Sequence, residues 1–154
     1  MEIIEKLKQT KQSALHYFDL SESDLAKSYG EGKWNNRYLL AHMVDAETVL
    51  CDRIKRILSE QPRPVLWAFD QDSWAAHLDY DTFPLTVSKQ IFSGVRDAII
   101  HLASKYYISH GDLTFIHSGT GLRTLKDEID KVVWHCEHHI NQIEQALKSH
   151  GLNE

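Results

Sequence analysis

Cysteine is scarce in this 154-residue sequence: only Cys51 and Cys136 are present, too few for a disulfide framework and in keeping with a reducing compartment. Long hydrophobic runs are missing too. No apolar stretch approaches the roughly 20 residues a membrane span needs, so no membrane association is expected. Positive charge is not in excess: 17 Lys and Arg face 22 Asp and Glu, for a net charge of −5. A nucleic-acid partner, which would normally call for a basic face, is therefore disfavoured. The opening Met1-Glu2-Ile3-Ile4-Glu5-Lys6 lacks a basic segment followed by an apolar one, so no signal peptide is expected and the cytoplasm is the expected setting. What remains is ordinary for a globular chain, 42% hydrophobic and 25% charged, and the length suits one domain over residues 1–154. The exception is histidine. Ten His against three Pro and two Met weight the reading toward metal or proton chemistry.

Apolar residues recur at helical spacing in four long segments. The first, over 2–18, carries Ile3, Ile4, Leu7, Ala14, Leu15 and Phe18. Ser21 then resembles an N-cap with acidic residues behind it, opening a short helical stretch that Gly30 and Gly32 break. The second segment, over 36–59, has one stripe of Leu39, Met43, Ala46, Leu50, Ile54 and Ile57, and ends before Pro62 and Pro64. The third, over 84–108, opens on Pro84 with Val87, Ile91, Val95, Ala98 and Leu102 as its stripe. The fourth, over 124–148, is capped by Thr124 with Asp127 and Glu128 in its first turn, and meets Gly151 as a C′ residue.

With no alternating strand segment in view, this is an all-α reading: a four-helix bundle. A connection of about 23 residues between the second and third helices has the reach to return along the bundle, which gives up-down-down-up order. That linker holds Trp67, Phe69, Trp74 and Tyr80, and Asp70 reads as the cap of a short helix. A second, Gly-rich loop runs from His110 to Arg123.

His135 and His139 lie four apart on the fourth helix, one turn above each other on the same face at about 100° per residue. Its core stripe is Leu125, Ile129, Val132, Cys136, His139 and Ile143, with His135 just beside it. Two inward imidazoles need a shared partner. Spacing alone leaves ligation of one metal ion and a hydrogen-bonded core pair equally open. His42, at the edge of the second helix's stripe, is the third candidate, and by itself reads as a partly exposed flank residue. Asp45, at i+3 from it, is a ligand, an outer carboxylate or a solvated charge. His138 is a rim acid/base or a surface residue. His16, His77, His101, His110, His117 and His150 have no partner at ligand spacing, and Cys136 on the core stripe reads as a small buried hydrophobe. Glu137 sits two residues after His135 rather than next to it, so the metalloprotease signature is absent.

Trp34 followed by His42, then Asp45 and Glu47, the Asp70-Gln71-Asp72-Ser73-Trp74 segment with Leu78 and Tyr80, and finally Trp134-His135 with His139 together resemble the DinB/YfiT-like superfamily. The likeness covers nearly the whole chain and is strongest to its metal-dependent hydrolase branch, which includes bacillithiol-type thiol S-transferases. It implies a four-helix bundle, often a homodimer, in which His42, His135 and His139 hold a divalent metal, zinc first and nickel second.

Three nitrogens leave a tetrahedral ion one open position, where a water or a thiol would be activated. That geometry leaves both routes open; the resemblance favours the thiol one, implying a thiol S-transferase that joins a low-molecular-weight thiol to an electrophilic small molecule. A hydrolase using water is the alternative, and a non-catalytic metal-binding dimer is the competing class. Candidate acid/base residues are Asp45 and His138, with Asp70 and Asp72 in the linker. Trp67, Asp70, Trp74 and Tyr80 are the expected substrate walls, and Trp67, Phe69 and Trp74 the expected cover of the site's mouth or of a partner.

Overall fold

The computed structural model describes residues 1–149; Gly151 and His150 lie outside the described residues. Four long helices dominate: α1 Glu2–Leu15, α3 Asn36–Ser59, α5 Leu85–Tyr106 and α6 Leu125–Ser149. The short helices α2 Glu22–Leu25 and α4 Gln71–His77 sit in the connections. α1 stops earlier than its apolar pattern suggests, and His16–Asp19 form a 3₁₀ turn that still buries Tyr17 and Phe18.

Local chemistry sets the helix starts. Ser21 accepts a hydrogen bond from the Asp24 amide, Asn35 from the Tyr38 amide and Asp70 from the Ser73 amide. Thr124 and Asp127 cap each other reciprocally, Thr124 N–H to Asp127 at 2.8 Å and Asp127 N–H to Thr124 Oγ1 at 3.2 Å.

α3 packs against α5 and α6, and α1 packs against the same two helices. The helix directions follow from contacts at their ends. Beyond α3, Gln61 reaches Thr114, which lies beyond α5, so these two helices run parallel. Lys89 near the start of α5 pairs with Asp19 at the end of α1, and Tyr17 there bonds Glu144 near the end of α6. The order is therefore up-down-down-up, as the long second connection suggests.

The four-helix bundle carries a small sheet in addition. Strand β1 Val65–Leu66 pairs parallel with β2 Thr114–His117, which forms a hairpin with β3 Gly121–Thr124. The hairpin turn is tight enough to put Gly121 at φ 83°, where a side chain would be strained. This sheet ties the linker to the loop before α6 at one end of the bundle.

Every stripe residue expected on α3 and α6 is buried. On α5 the inward face is rotated from the expected one. Ser88, Phe92, Arg96, Ile99 and Ala103 are buried, whereas Val87 and Ile91 are 39% and 37% exposed. The cause is a buried ion pair. Arg96 grips Glu47 of α3 through Nε and through Nη2 at 3.0 Å. Its Nη1 donates to the Leu7 carbonyl at 2.9 Å and to Thr10 Oγ1 at 2.7 Å. A charge this deep is tolerated because every guanidinium nitrogen has a partner. Among the described residues, no helix is long and apolar enough to cross a membrane.

Candidate metal centre

His42 on α3 and His135 and His139 on α6 converge where those helices pack together. His135 Nε2 lies 3.0 Å from His42 Nε2 and 3.1 Å from His139 Nε2. Three ring nitrogens so placed fit one small cation: two nitrogens bound tetrahedrally to zinc at about 2.05 Å stand roughly 3.3 Å apart. Burial disfavours the charged imidazolium and is the main cause of low proton affinity in all three rings, with neighbouring imidazoles adding to it. It pushes His42 down to about 3, His135 to about 2 and His139 to about 4. At neutral pH all three are unprotonated donors, the form a metal takes.

One ring is oriented from behind. His139 Nδ1 donates to Gln142 Oε1 at 2.7 Å, placing its ring proton on Nδ1 and leaving the Nε2 lone pair toward the other two rings. Gln142 Nε2 in turn donates to His138 Nε2 at 3.3 Å. His42 Nδ1 is buried with no hydrogen-bond partner, but its ring is held by aromatics. Phe69 stacks on it with planes 20° apart, and Trp34 lies 5.3 Å away by ring centroids. Trp74 packs edge-on against Phe69. The linker aromatics thus cover the imidazoles through Phe69.

The other anticipated residues sit around this centre in different roles. Asp45 takes a short hydrogen bond from the buried Tyr80 hydroxyl and does not line the cavity. Burial lifts its carboxyl above the usual range while this bond opposes the rise; the pair fastens the linker to α3. Asp70 is the cap of α4. Trp67 is 79% exposed and lines a separate groove with Val65 and Arg56. Exposed His138 stacks on Trp134 with planes 12° apart, at the cavity rim.

A cavity of about 330 Å³ opens beside the three imidazoles. Leu50, Phe69 and Trp134 give it apolar walls, and among the described residues no carboxylate lines it. Its remaining polar lining includes Arg53, His117 and Lys131, which helical spacing did not single out. His117 comes from β2, so its approach depends on the sheet; the Thr114-Phe115-Ile116-His117 run, rich in β-formers, was the available signal. Glu128 is not the exposed first-turn acid its position suggests. It is fully buried between Arg53 at 3.4 Å and Arg123 at 3.5 Å.

Residues 6–143 match the family model of the DinB superfamily, and the chain belongs to that superfamily. It is similar to a protein of Oceanobacillus iheyensis named as a candidate metal-dependent hydrolase, 30% identical over 132 residues, with 86% of this chain and 75% of the relative covered. A Halalkalibacterium halodurans protein of the same naming is 29% identical over 140 residues, covering 90% and 81%. Among solved structures, YfiT from Bacillus subtilis, described as having an unusual four-helix bundle topology, superposes with a TM-score of 0.89 at 22% identity, over 97% of this chain and 86% of YfiT. The mycothiol-dependent maleylpyruvate isomerase does so with a TM-score of 0.73 at 10% identity, over 92% of this chain and 59% of that one. At such identities the two structures speak to the fold.

Proposed function

We propose that this chain is a metal-dependent enzyme that transfers a low-molecular-weight thiol to an electrophilic small molecule. The observation that carries the reading is the convergence of three Nε2 atoms on the wall of a cavity that no carboxylate of the described residues lines. A divalent ion held by three imidazoles would keep one position for an outside ligand and would lower the pKa of a thiol or water there. His42, His135 and His139 are the holding residues, and zinc or nickel suits three neutral imidazoles. Gln142 keeps His139 in the binding tautomer. Phe69 and Trp74 close the mouth from the linker side and keep bulk water off the imidazoles. Thiol transfer needs positioning more than a base once the thiol is ionised, which suits a cavity without a carboxylate.

Hydrolysis is the second reading. It is supported by the naming of the relatives and by His138, whose imidazole at the rim could shuttle a proton. A panel of thiols with an epoxide or chlorinated acceptor, run beside simple esters and amides, separates the two. Metal-dependent conjugation that disappears in His42→Ala supports the transferase, and thiol-free ester or amide turnover supports the hydrolase. Association into a homodimer belongs to the same proposal. Sedimentation at micromolar concentration reads it, and monomer alone would contradict it.

A further inference from the structure

The cavity has a second polar end. Arg53 of α3, 4% exposed, lines it with His117 of β2 and Lys131 of α6. The Arg53 guanidinium bonds Glu128 and, at 3.0 Å, the Trp67 carbonyl, but its buried Nε has no partner. Among the described residues, the Lys131 side chain makes no hydrogen bond or ion pair. His117 Nδ1 accepts from the Gly119 amide at 3.0 Å and the Thr120 amide at 3.2 Å, which leaves its ring proton on Nε2 as a donor.

Charge is unbalanced here. Of the residues that line the cavity, Arg53 and Lys131 are cationic, and buried Glu128, shared between Arg53 and Arg123, supplies one negative charge behind them. Asp127 accepts from the Thr124 amide and Asp130 from the Tyr107 hydroxyl; both line a neighbouring groove that Arg123 and Lys131 also reach, and neither lines the cavity. Two partly desolvated cations facing one carboxylate leave an excess of positive charge, and a bound anion offsets its cost.

We propose that Arg53, Lys131 and His117 form an anion subsite that receives a carboxylate of the substrate, while the substrate's reacting end lies at the three imidazoles. The inference rests on the proposed enzyme reading for what happens at the imidazoles; the subsite stands on its own lining. It makes the preferred substrate a small organic acid with an apolar body, sized for a cavity of about 330 Å³. The carboxylate belongs either to the thiol or to its acceptor.

The test is calorimetric binding of 3-phenylpropanoate and its neutral amide, 3-phenylpropanamide, to the metal-loaded protein and to protein stripped by chelation. The acid should bind about tenfold more tightly than the amide in both forms, the worth of one charge-assisted contact. Lys131→Met should erase that preference without moving the amide's affinity, and Lys131→Arg should restore it. Lys131 has no hydrogen bond or ion pair to lose and Met keeps its apolar stem, so with an unchanged unfolding midpoint the variant tests the subsite rather than folding. Equal affinities for acid and amide, no measurable binding of the acid, or a preference that survives Lys131→Met would overturn the proposal. Because the stripped protein is included, a subsite that binds acids in a protein without turnover would separate this inference from the enzyme reading. A further arm uses 3-mercaptopropanoate and its amide on the cobalt-loaded protein. A Lys131-dependent preference accompanied by a sulfur-to-cobalt absorption band places the carboxylate on the thiol. The same preference for phenylpropanoate persisting under saturating neutral thiol places it on the acceptor.

Discussion

Gln142 accepts the Nδ1 proton of His139 at 2.7 Å, one turn further along the same helix. That bond decides which nitrogen of His139 can bind a cation, and it ties the imidazole cluster to His138 at the rim. Partners of this kind typically contribute 10–100-fold to metal affinity. Gln142→Ala should therefore weaken zinc binding by about that factor in a competition with a chromophoric chelator. Helix content in circular dichroism should stay unchanged. An unaltered affinity would remove Gln142 from the centre.

Glu47 and Arg96 join α3 to α5 inside the core. Truncating either partner leaves the other buried and unpaired, so Glu47→Ala should cost about 3–5 kcal/mol in denaturant unfolding. A loss below about 1 kcal/mol, the range of an exposed ion pair, would show that the charges are hydrated.

In the metal-free protein the three imidazoles make stability depend on pH. Their folded values, about 3, 2 and 4, lie below the ordinary value near 6.5, so the unfolded chain binds more protons. This contribution is fully present above about pH 6.5 and is lost progressively as pH falls toward the folded values. The loss at pH 5 should be on the order of 1–2 kcal/mol per imidazole. Unfolding midpoints of chelated protein between pH 7 and pH 5 read it, and removing one imidazole in His42→Ala should flatten the slope. A flat wild-type profile would mean that the rings are solvated.

Cys136 is buried against the Thr10 carbonyl, and burial pushes its thiol up to about 11. Alkylation of folded protein by iodoacetamide near pH 8 should leave it untouched, with full labelling after denaturation. Fast labelling of the native protein would contradict its place in the core.

The sequence exposed most where side-chain chemistry and helical period agree. On α6, Cys136, His139 and Ile143 sit on the stripe at the expected spacing, and the His135–His139 pair follows from a turn of helix. α5 misled because its inward face contains Ser88 and Arg96, polar residues whose burial depends on Glu47 some fifty positions away. Aliphatic periodicity alone cannot register such a partner. β1 and β2 have only two and four residues and pair across a separation of about fifty positions. Their pattern is too short to show alternation, and with them His117 was hidden from the site. Asp45 shares a flank with His42, which in the sequence makes it a candidate base. Only the fold shows that the Tyr80 hydroxyl occupies it. Asp45→Asn should accordingly lower stability more than turnover, as a kcat comparison beside unfolding would reveal.

The central claim is that His42, His135 and His139 together hold one divalent ion. Metal analysis of the purified protein and of the His42→Ala, His135→Ala and His139→Ala variants, each shown to be folded, tests it most directly. The account predicts about one zinc or nickel ion per wild-type chain and a large loss in all three variants. Full metal stoichiometry retained in the His135→Ala and His139→Ala variants would contradict it.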